Sequence, residues 1–253
     1  MASPIGSHGT FNVKTDRRGS TVPVHISEQA GARAENLSLS TWGASFVLAN
    51  ALHELAVSLP KGREAPASGS HVLELGAGTG LVGLTAAILW KMPTLLTDLS
   101  PLLPALAGNI LLNKALLVRQ SVSCASLDWS KPDQIQLFDS KQSDTQIVSP
   151  RQTKAHVILA ADTIYSEEHP ELLTKTILTW LAPHPDARVI LCYPLRMAYI
   201  DHIREFWQLM EASELVCVEE GRENGDEEWN ELAHTPYEWC MWGWKHASAG
   251  ELN

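Results

Sequence analysis

The chain has 253 residues, 45% of them hydrophobic, and its formal net charge at pH 7 is −10. This length and composition suit one large α/β domain with a short extension, and its core needs neither disulfides nor a structural metal. The acidic balance disfavours nucleic acid as a partner, because neutralising phosphates requires clustered Lys and Arg. It suits simple solubility or the attraction of a basic protein.

Four cysteines are spread along the chain and form no pattern typical of metal ligands: Cys124, Cys192, Cys217 and Cys240. Reduced thiols of this kind predict a cytoplasmic or nuclear location. No apolar run approaches the length of a membrane span, and residues 1–10 lack the apolar core of a secretion signal. We therefore expect no membrane partner and no metal.

The N-terminal part divides into an extension over residues 1–36 and the start of the main domain, residues 37–253. Alternating residues at 22–26 predict a strand of a small hairpin. Residues 41–59 predict a helix with an apolar face that includes Phe46, Leu52 and Leu55. A loop rich in Gly, Pro and Ser follows at 60–70.

From residue 71 onwards, strand and helix patterns alternate. Strands are predicted at 71–75, 94–98, 121–127, 155–160 and 187–193, and helices at 81–90, 101–113, 167–181 and 197–212. Two successive strands, 215–219 and 237–244, predict an antiparallel hairpin at one edge. Residues 130–154 predict a polar loop or crossover, and 219–231 an acidic loop. The predicted fold is α/β: a Rossmann-like, seven-stranded, mostly parallel sheet with helices on both faces.

Three alternating glycines follow the first strand of this series, at Gly76, Gly78 and Gly80. Such residues allow a sharp turn and let a ligand approach the main chain closely. The helix that begins after them directs its free N–H groups to the same place. The sequence therefore predicts a ligand site at this turn.

Two ligand classes fit the glycine turn. Gly78, Gly80 and Gly83 match the dinucleotide pattern G-x-G-x-x-G, and Asp98 lies where a ribose-binding acid belongs. However, Glu74 precedes the turn, and its carboxylate would repel a pyrophosphate but attract the cations of a sulfonium ligand. This favours S-adenosylmethionine, and hence methyl transfer, over a dehydrogenase.

An acidic residue ends each of four predicted strands: Glu74, Asp98, Asp128 and Asp162. Ligands of open α/β sheets bind at the carboxyl ends of the strands, so all four would face one crevice. Asp98 could accept both ribose hydroxyls, and Asp128 with Trp129 could receive the adenine. Asp162 and Tyr165 would meet the methyl acceptor. The alternatives are helix N-caps for Asp98 and Asp162 and a core position for Trp129.

This series resembles the seven-strand protein lysine methyltransferases called methyltransferase family 16, which include enzymes acting on translation elongation factors and on chaperones. The resemblance covers residues 37–244. It is carried by residues 41–45, 73–84, 97–98, 128–129 and 159–165. The departures are Thr163, where the family usually has an aliphatic residue, and the long polar segment 130–154.

The resemblance implies a class I methyltransferase fold, S-adenosylmethionine as cofactor, and a protein substrate such as an elongation factor or chaperone. It also implies that Asp162 and Tyr165, the D-x-x-Y signature, line the acceptor channel. Tyr193 and Arg196 match a looser segment with a structural or substrate-facing role. The residues it implies as cofactor contacts are Trp42, Gly76, Ala77, Gly78, Asp98, Trp129 and Ala161. The protein is expected to be a monomer.

Two further functions stay open at this point. A small-molecule N-methyltransferase on the same fold would need a deep closed pocket, whereas a protein substrate would need an open acidic groove. A degenerate fold that serves only as a binding module is disfavoured by the intact glycines and acids.

Overall fold

A computed structural model of the chain describes residues 8–28, 33–34, 37–38, 40–58, 71–117, 122–139, 146–224 and 235–245. Two 3₁₀ turns, Ser100–Leu102 and Met197–Tyr199, precede the third and fifth helices. The helices are α1 (Gly43–Ala51), α2 (Leu81–Trp90), α3 (Leu103–Leu112), α4 (His169–Trp180) and α5 (Ile200–Ala212). The strands are β1 (His8–Lys14), β2 (Thr21–Ser27), β3 (Arg33–Ala34), β4 (Leu37–Ser38), β5 (Val72–Leu75), β6 (Thr94–Asp98), β7 (Val122–Ser126), β8 (Ile135–Leu137), β9 (Ile147–Val148), β10 (Val157–Ala161), β11 (Arg188–Pro194), β12 (Leu215–Asn224) and β13 (Pro236–Trp244).

The central sheet has the strand order β12-β13-β11-β10-β5-β6-β7-β8-β9. The five inner strands from β11 to β7 are parallel, and antiparallel pairs extend the sheet at both edges. The order reverses between β10 and β5, and a switch of this kind opens a crevice at the carboxyl ends of the strands. The α/β prediction is confirmed, including the C-terminal antiparallel hairpin.

The number of strands differs from the prediction. All seven predicted strands are present in the central sheet, and β8 and β9 add two more from the segment predicted to be a polar loop or crossover. Ile135 in β8 is 1% exposed, and the indole N–H of Trp180 donates to the carbonyl oxygen of Pro132 at 2.6 Å. These contacts hold a largely polar segment against the sheet. The alternation of apolar and polar residues in this segment is too short to predict strands from the sequence.

Strand β12 is longer than predicted. Residues 219–224, which the acidic composition assigned to a loop, continue the antiparallel ladder with β13 after a bulge at Cys217 and Glu219. An edge strand has only one partner, so its charged side chains can remain in water. Acidic composition therefore did not exclude a strand here. The rest of the predicted loop, residues 225–231, lies outside the described residues.

Alternation along β10 shows how the layers are built. Ile158 and Ala160 pack in the cluster that contains Phe206 and Met210 of α5, on one face of the sheet. Val157 and Leu159 pack on the other face, against α1 and α2. Since successive strand residues point to opposite faces, a continuous apolar strand must be covered on both sides.

The observed bounds agree with the prediction for α2 but not for α1. Helix α2 occupies the predicted residues, from Gly80 with φ +84° to the left-handed Lys91 with φ +55°. Helix α1 ends at Ala51, although the prediction extended it to residue 59. Leu52 and Leu55 are buried as the pattern requires, but the backbone there forms turns. Apolar spacing alone could not distinguish these turns from another helical turn.

The predicted N-terminal hairpin is formed by the antiparallel strands β1 and β2. Its inward side chains Phe11, Val13, Val24 and Ile26 are buried in one cluster with residues of α1, α2 and α3. The hairpin therefore shares its core with the main domain. The boundary at residue 36 stays a prediction.

Within the described ranges, no helix is long and apolar enough to span a membrane. The four cysteines, all of them described, are free thiols. In the same ranges there is no cluster of three or more His, Cys, Asp or Glu side chains suited to a metal ion.

Candidate active site

The glycine turn lies between β5 and α2, and three of its residues have left-handed backbone angles. These are Gly76 with φ +63°, Gly78 with φ +53° and Gly80 with φ +84°. A Cβ at Gly76 would lie 3.1 Å from Thr163 Cγ2 and 3.3 Å from Trp129 Cζ2, whereas a Cβ at Gly78 would meet no atom within 4 Å. The turn is therefore packed on one side at Gly76 and open at Gly78.

Glu74 does not have the role that the sequence suggested. Its side chain is 2% exposed, and its Oε2 accepts the N–H of Gly83 at 3.0 Å, beneath the turn. Burial raises the pKa of Glu74 to about 8, so the carboxyl is mainly protonated at neutral pH. The attraction of a ligand cation by Glu74 thus loses its electrostatic basis. This side chain instead joins α2 to β5.

Asp98 holds the glycine turn from the neighbouring strand. Its Oδ2 accepts the N–H of Gly78 at 2.7 Å, and its Oδ1 accepts the N–H of Leu99 at 2.7 Å. Burial raises the pKa of Asp98, while these two hydrogen bonds oppose that rise. Each carboxylate oxygen keeps a second acceptor position, so the group can also receive ribose hydroxyls. Asp98 is not an N-cap of α3, whose N-cap is Leu102.

A cleft of about 530 Å³ opens where β5, β6, β7 and β10 end. Nine predicted site residues line it: Trp42, Gly76, Gly78, Asp98, Asp128, Trp129, Ala161, Asp162 and Tyr165. Two others, Glu74 and Ala77, are not among its lining residues. The N–H of Ala77 donates to Thr97 O at 2.9 Å, which fastens the turn to β6. The cleft is large enough for a nucleoside cofactor, and its glycine and carboxylate side suits one.

Asp162 closes β10 in a strained conformation. Its φ is +54°, which is uncommon for a residue with a side chain, and its N–H donates to Cys192 O at 2.9 Å. The side chain is 7% exposed and forms an ion pair with Arg196, with Nη2 3.3 Å from Oδ2 and Nη1 3.4 Å from Oδ1. Helix α4 begins seven residues later, so Asp162 is not its cap. Strain of this kind is typical of functional sites.

Three rings form a contiguous wall of the cleft. His169 lies edge-on to Tyr165, with ring centroids 4.3 Å apart, and edge-on to Trp129 at 5.6 Å. Burial lowers the pKa of His169, so its imidazole is neutral at physiological pH. Burial, together with the nearby carboxylates Asp98 and Asp162, raises the pKa of Tyr165. The wall therefore presents uncharged rings to the cleft.

Sequence reasoning missed His169 and gave Arg196 only a looser role. The available signal for His169 was its position four residues after Tyr165, at the first residue of α4. A single histidine at a helix start is not specific, and its contacts to two rings depend on the tertiary fold. Arg196 lies two residues after the end of β11, a strand that is adjacent to β10 in the sheet but not in the sequence.

Asp128 lies at the exposed rim of the cleft. Its Oδ1 accepts hydrogen bonds from the N–H of Ser130 at 2.9 Å and from the Ser130 hydroxyl at 2.7 Å. These bonds lower the pKa of Asp128, so the group is ionised. The predicted contact between Asp128 and an adenine amino group stays a prediction.

The sheet order and a glycine turn flanked by Asp98 define a Rossmann-like class I methyltransferase fold. A solved structure supports this class: a proposed SAM-dependent methyltransferase from Streptococcus mutans aligns with a TM-score of 0.57 and 10% sequence identity. The alignment covers 96% of this chain and 57% of that one. At this identity the likeness concerns the fold alone.

A model of the lysine methyltransferase family matches residues 21–213. This chain belongs to that family.

Two yeast relatives are similar over most of this chain. The protein-lysine N-methyltransferase EFM2 of Saccharomyces cerevisiae is 31% identical over 229 residues, which is 85% of this chain and 50% of the relative. The protein-lysine N-methyltransferase rrg1 of Schizosaccharomyces pombe is 32% identical over 208 residues, which is 81% of this chain and 62% of the relative. The chain thus spans half to about three-fifths of the length of these relatives.

Proposed function

We propose that this chain is an S-adenosylmethionine-dependent protein-lysine N-methyltransferase. The observation that carries the proposal is a single cleft in which Gly78 and Asp98 lie beside Asp162 and Tyr165. One pair suits a nucleoside cofactor and the other an amine acceptor. Membership of the lysine methyltransferase family supports the same reaction.

The cofactor would lie against the glycine turn. Asp98 would accept its ribose hydroxyls, Trp129 would pack against its adenine, and Trp42 would cover it from the α1 side. When bound, S-adenosylmethionine supplies an activated methyl carbon for an in-line displacement. The chain's contribution is to hold that carbon and the acceptor nitrogen in line.

The acceptor must arrive as a neutral amine, whereas a free lysine has a pKa of about 10.4. Tyr165 and His169 offer an uncharged, partly desolvated wall, and desolvation favours the neutral form of a lysine. Asp162 would accept a hydrogen bond from the amine and so fix its direction. Arg196 holds the Asp162 carboxylate in place and offsets its charge.

A protein substrate fits this cleft better than a small molecule. The side chain of Tyr165 is 37% exposed, and Asp128 and Glu168 are exposed at the rim, so the acceptor end opens to solvent beside carboxylates. Such an opening suits the long side chain of a lysine from a folded or extended protein. We propose specifically that the substrate is an elongation factor or a chaperone. We also propose that the enzyme is a monomer and acts in the cytoplasm or nucleus.

The substitution Asp162→Ala separates the two halves of the site. It should abolish methyl transfer to protein, because Asp162 faces the acceptor. The Kd for S-adenosylmethionine, measured by calorimetry, should stay within about threefold of the wild-type value. Asp186, whose half-exposed side chain lies outside the cleft, provides the matched control, and Asp186→Ala should leave both properties unchanged. Near-normal turnover of the Asp162→Ala variant would refute the role assigned to Asp162.

A further inference from the structure

Thr79 lies inside the glycine turn and is 3% exposed. Side chains from two separate parts of the chain reach it. Its hydroxyl lies 3.0 Å from the hydroxyl of Thr41, and its carbonyl oxygen accepts the side-chain N–H of Asn109 at 3.0 Å. The turn that faces the cleft is therefore held from behind by side chains that do not line the cleft.

The first route starts at the end of β2. The carboxylate of Glu28 accepts the N–H of Thr41 at 2.6 Å, and the Thr41 hydroxyl meets that of Thr79. Trp42, the next residue, lines the cleft. This route thus fixes the distance between one wall of the cleft and the glycine turn.

The second route passes through Asn109 of α3, whose side chain is fully buried. Its Oδ1 accepts the N–H of Ser27 at 2.8 Å, while its Nδ2 donates to Ser27 O at 3.3 Å and to Thr79 O at 3.0 Å. One turn later, Asn113 pairs with both backbone groups of His25 in the same way. These bonds dock the hairpin onto α3 and direct one amide hydrogen of Asn109 to the turn.

We propose that Asn109 and the Thr41–Thr79 hydrogen bond hold the glycine turn in its binding conformation, and that Ser27 and Glu28, where the N-terminal hairpin ends, support these two contacts. This inference rests on the proposed function for the identity of the cofactor. A turn with three left-handed glycines has many alternative conformations when it is not restrained. Ordering it on binding would cost affinity, and an existing restraint removes that cost. Thr41, Thr79 and Asn109 are positioning residues and contact no reacting atom.

The test is calorimetric binding of S-adenosylmethionine and S-adenosylhomocysteine to the full chain. Thr41→Val and Thr79→Val each remove one hydroxyl with little change of shape and should each raise Kd about fivefold. The Kd of the double variant should exceed that of either single variant by no more than about twofold, because both substitutions break the same hydrogen bond. Thr41→Ser keeps the hydroxyl and should restore wild-type affinity.

Thr85→Val is the matched control, because Thr85 is a buried threonine whose hydroxyl donates to Leu81 O within α2 and does not reach the turn. It should lower the melting temperature as much as Thr79→Val does, yet leave Kd within about twofold. Asn109→Ala should weaken binding further and speed amide exchange at Ser27.

Equal Kd values for the Thr41, Thr79 and Thr85 variants would overturn this inference and leave the proposed function intact. A wild-type chain that binds neither compound would overturn the proposed cofactor, and this inference with it. If Asn109→Ala does not fold, the threonine variants still decide the question.

Discussion

The four acids that close neighbouring strands have four different environments. Glu74 is buried and mainly protonated, Asp98 supports the glycine turn, Asp128 is ionised at the rim, and Asp162 is paired with Arg196. The sequence pattern predicted their positions, because a strand end is a local feature. It could not predict their protonation or partners, since these depend on burial and on residues of other strands.

The buried carboxyl of Glu74 gives a prediction about pH and stability. Its pKa of about 8 in the folded protein exceeds the ordinary value of 4.5, so between these values the folded state holds a proton that the unfolded chain has lost. The free energy of unfolding should therefore fall as pH rises through this window, by up to about 1.4 kcal/mol per pH unit, and then level off.

Glu74→Gln removes this titration while it keeps an acceptor for the N–H of Gly83. Urea unfolding of both proteins from pH 5 to pH 9 should show the variant gaining stability relative to the wild type as pH rises. Parallel curves would mean that Glu74 is already ionised in the folded protein.

The ring of His169 gives a second prediction at this scale. Since it packs between Trp129 and Tyr165, His169→Ala should lower methyl transfer about tenfold by releasing Tyr165. His169→Phe keeps an aromatic ring and should retain most of the activity. His184→Ala, at an exposed position, serves as the control. Equal losses in the Ala and Phe variants would point instead to a proton-transfer role for the imidazole.

The position of α2 depends on a single glycine, Gly83. A Cβ at Gly83 would lie 2.1 Å from Leu96 Cδ2 and 2.5 Å from Glu74 Oε2, so the helix packs on β5 and β6 only because that atom is missing. Gly83, which completes the dinucleotide-like pattern in the sequence, is therefore explained by the packing of α2.

The two additional strands, β8 and β9, show the opposite case, in which tertiary contacts create strands that the local sequence pattern does not indicate.

Gly83→Ala should therefore destabilise the protein by about 1–3 kcal/mol, because the ends of two buried side chains, Leu96 and Glu74, would have to shift to make room for the added methyl group. Gly108→Ala in α3 is the matched control, since a Cβ there meets no atom within 4 Å. It should stabilise the protein by about 0.5–1 kcal/mol. Thermal unfolding of both variants checks this, and a mild effect of Gly83→Ala would contradict the tight packing of α2.

For the whole molecule, the sequence predicted the layers, the seven main strands and nine of the residues that line the cleft. These features could be predicted because continuous apolar strands, glycine turns and acids at strand ends are local features of the sequence. The hairpin's attachment through Asn109, the Arg196 ion pair and the ring of His169 join residues far apart in sequence, and no single-sequence pattern specifies such contacts. The sequence thus indicated which residues line the cleft, whereas their protonation and their supporting contacts follow from the tertiary fold.

The proposed activity is methyl transfer to a lysine of another protein. The most direct measurement incubates the purified chain with radiolabelled S-adenosylmethionine and a lysate of cells that lack it, followed by mass spectrometry of the labelled band. We expect a discrete labelled protein with a methylated lysine, and we expect no labelled protein when the Asp162→Ala variant is used. Label found only in small molecules, or no label with a chain that binds the cofactor normally, would contradict it.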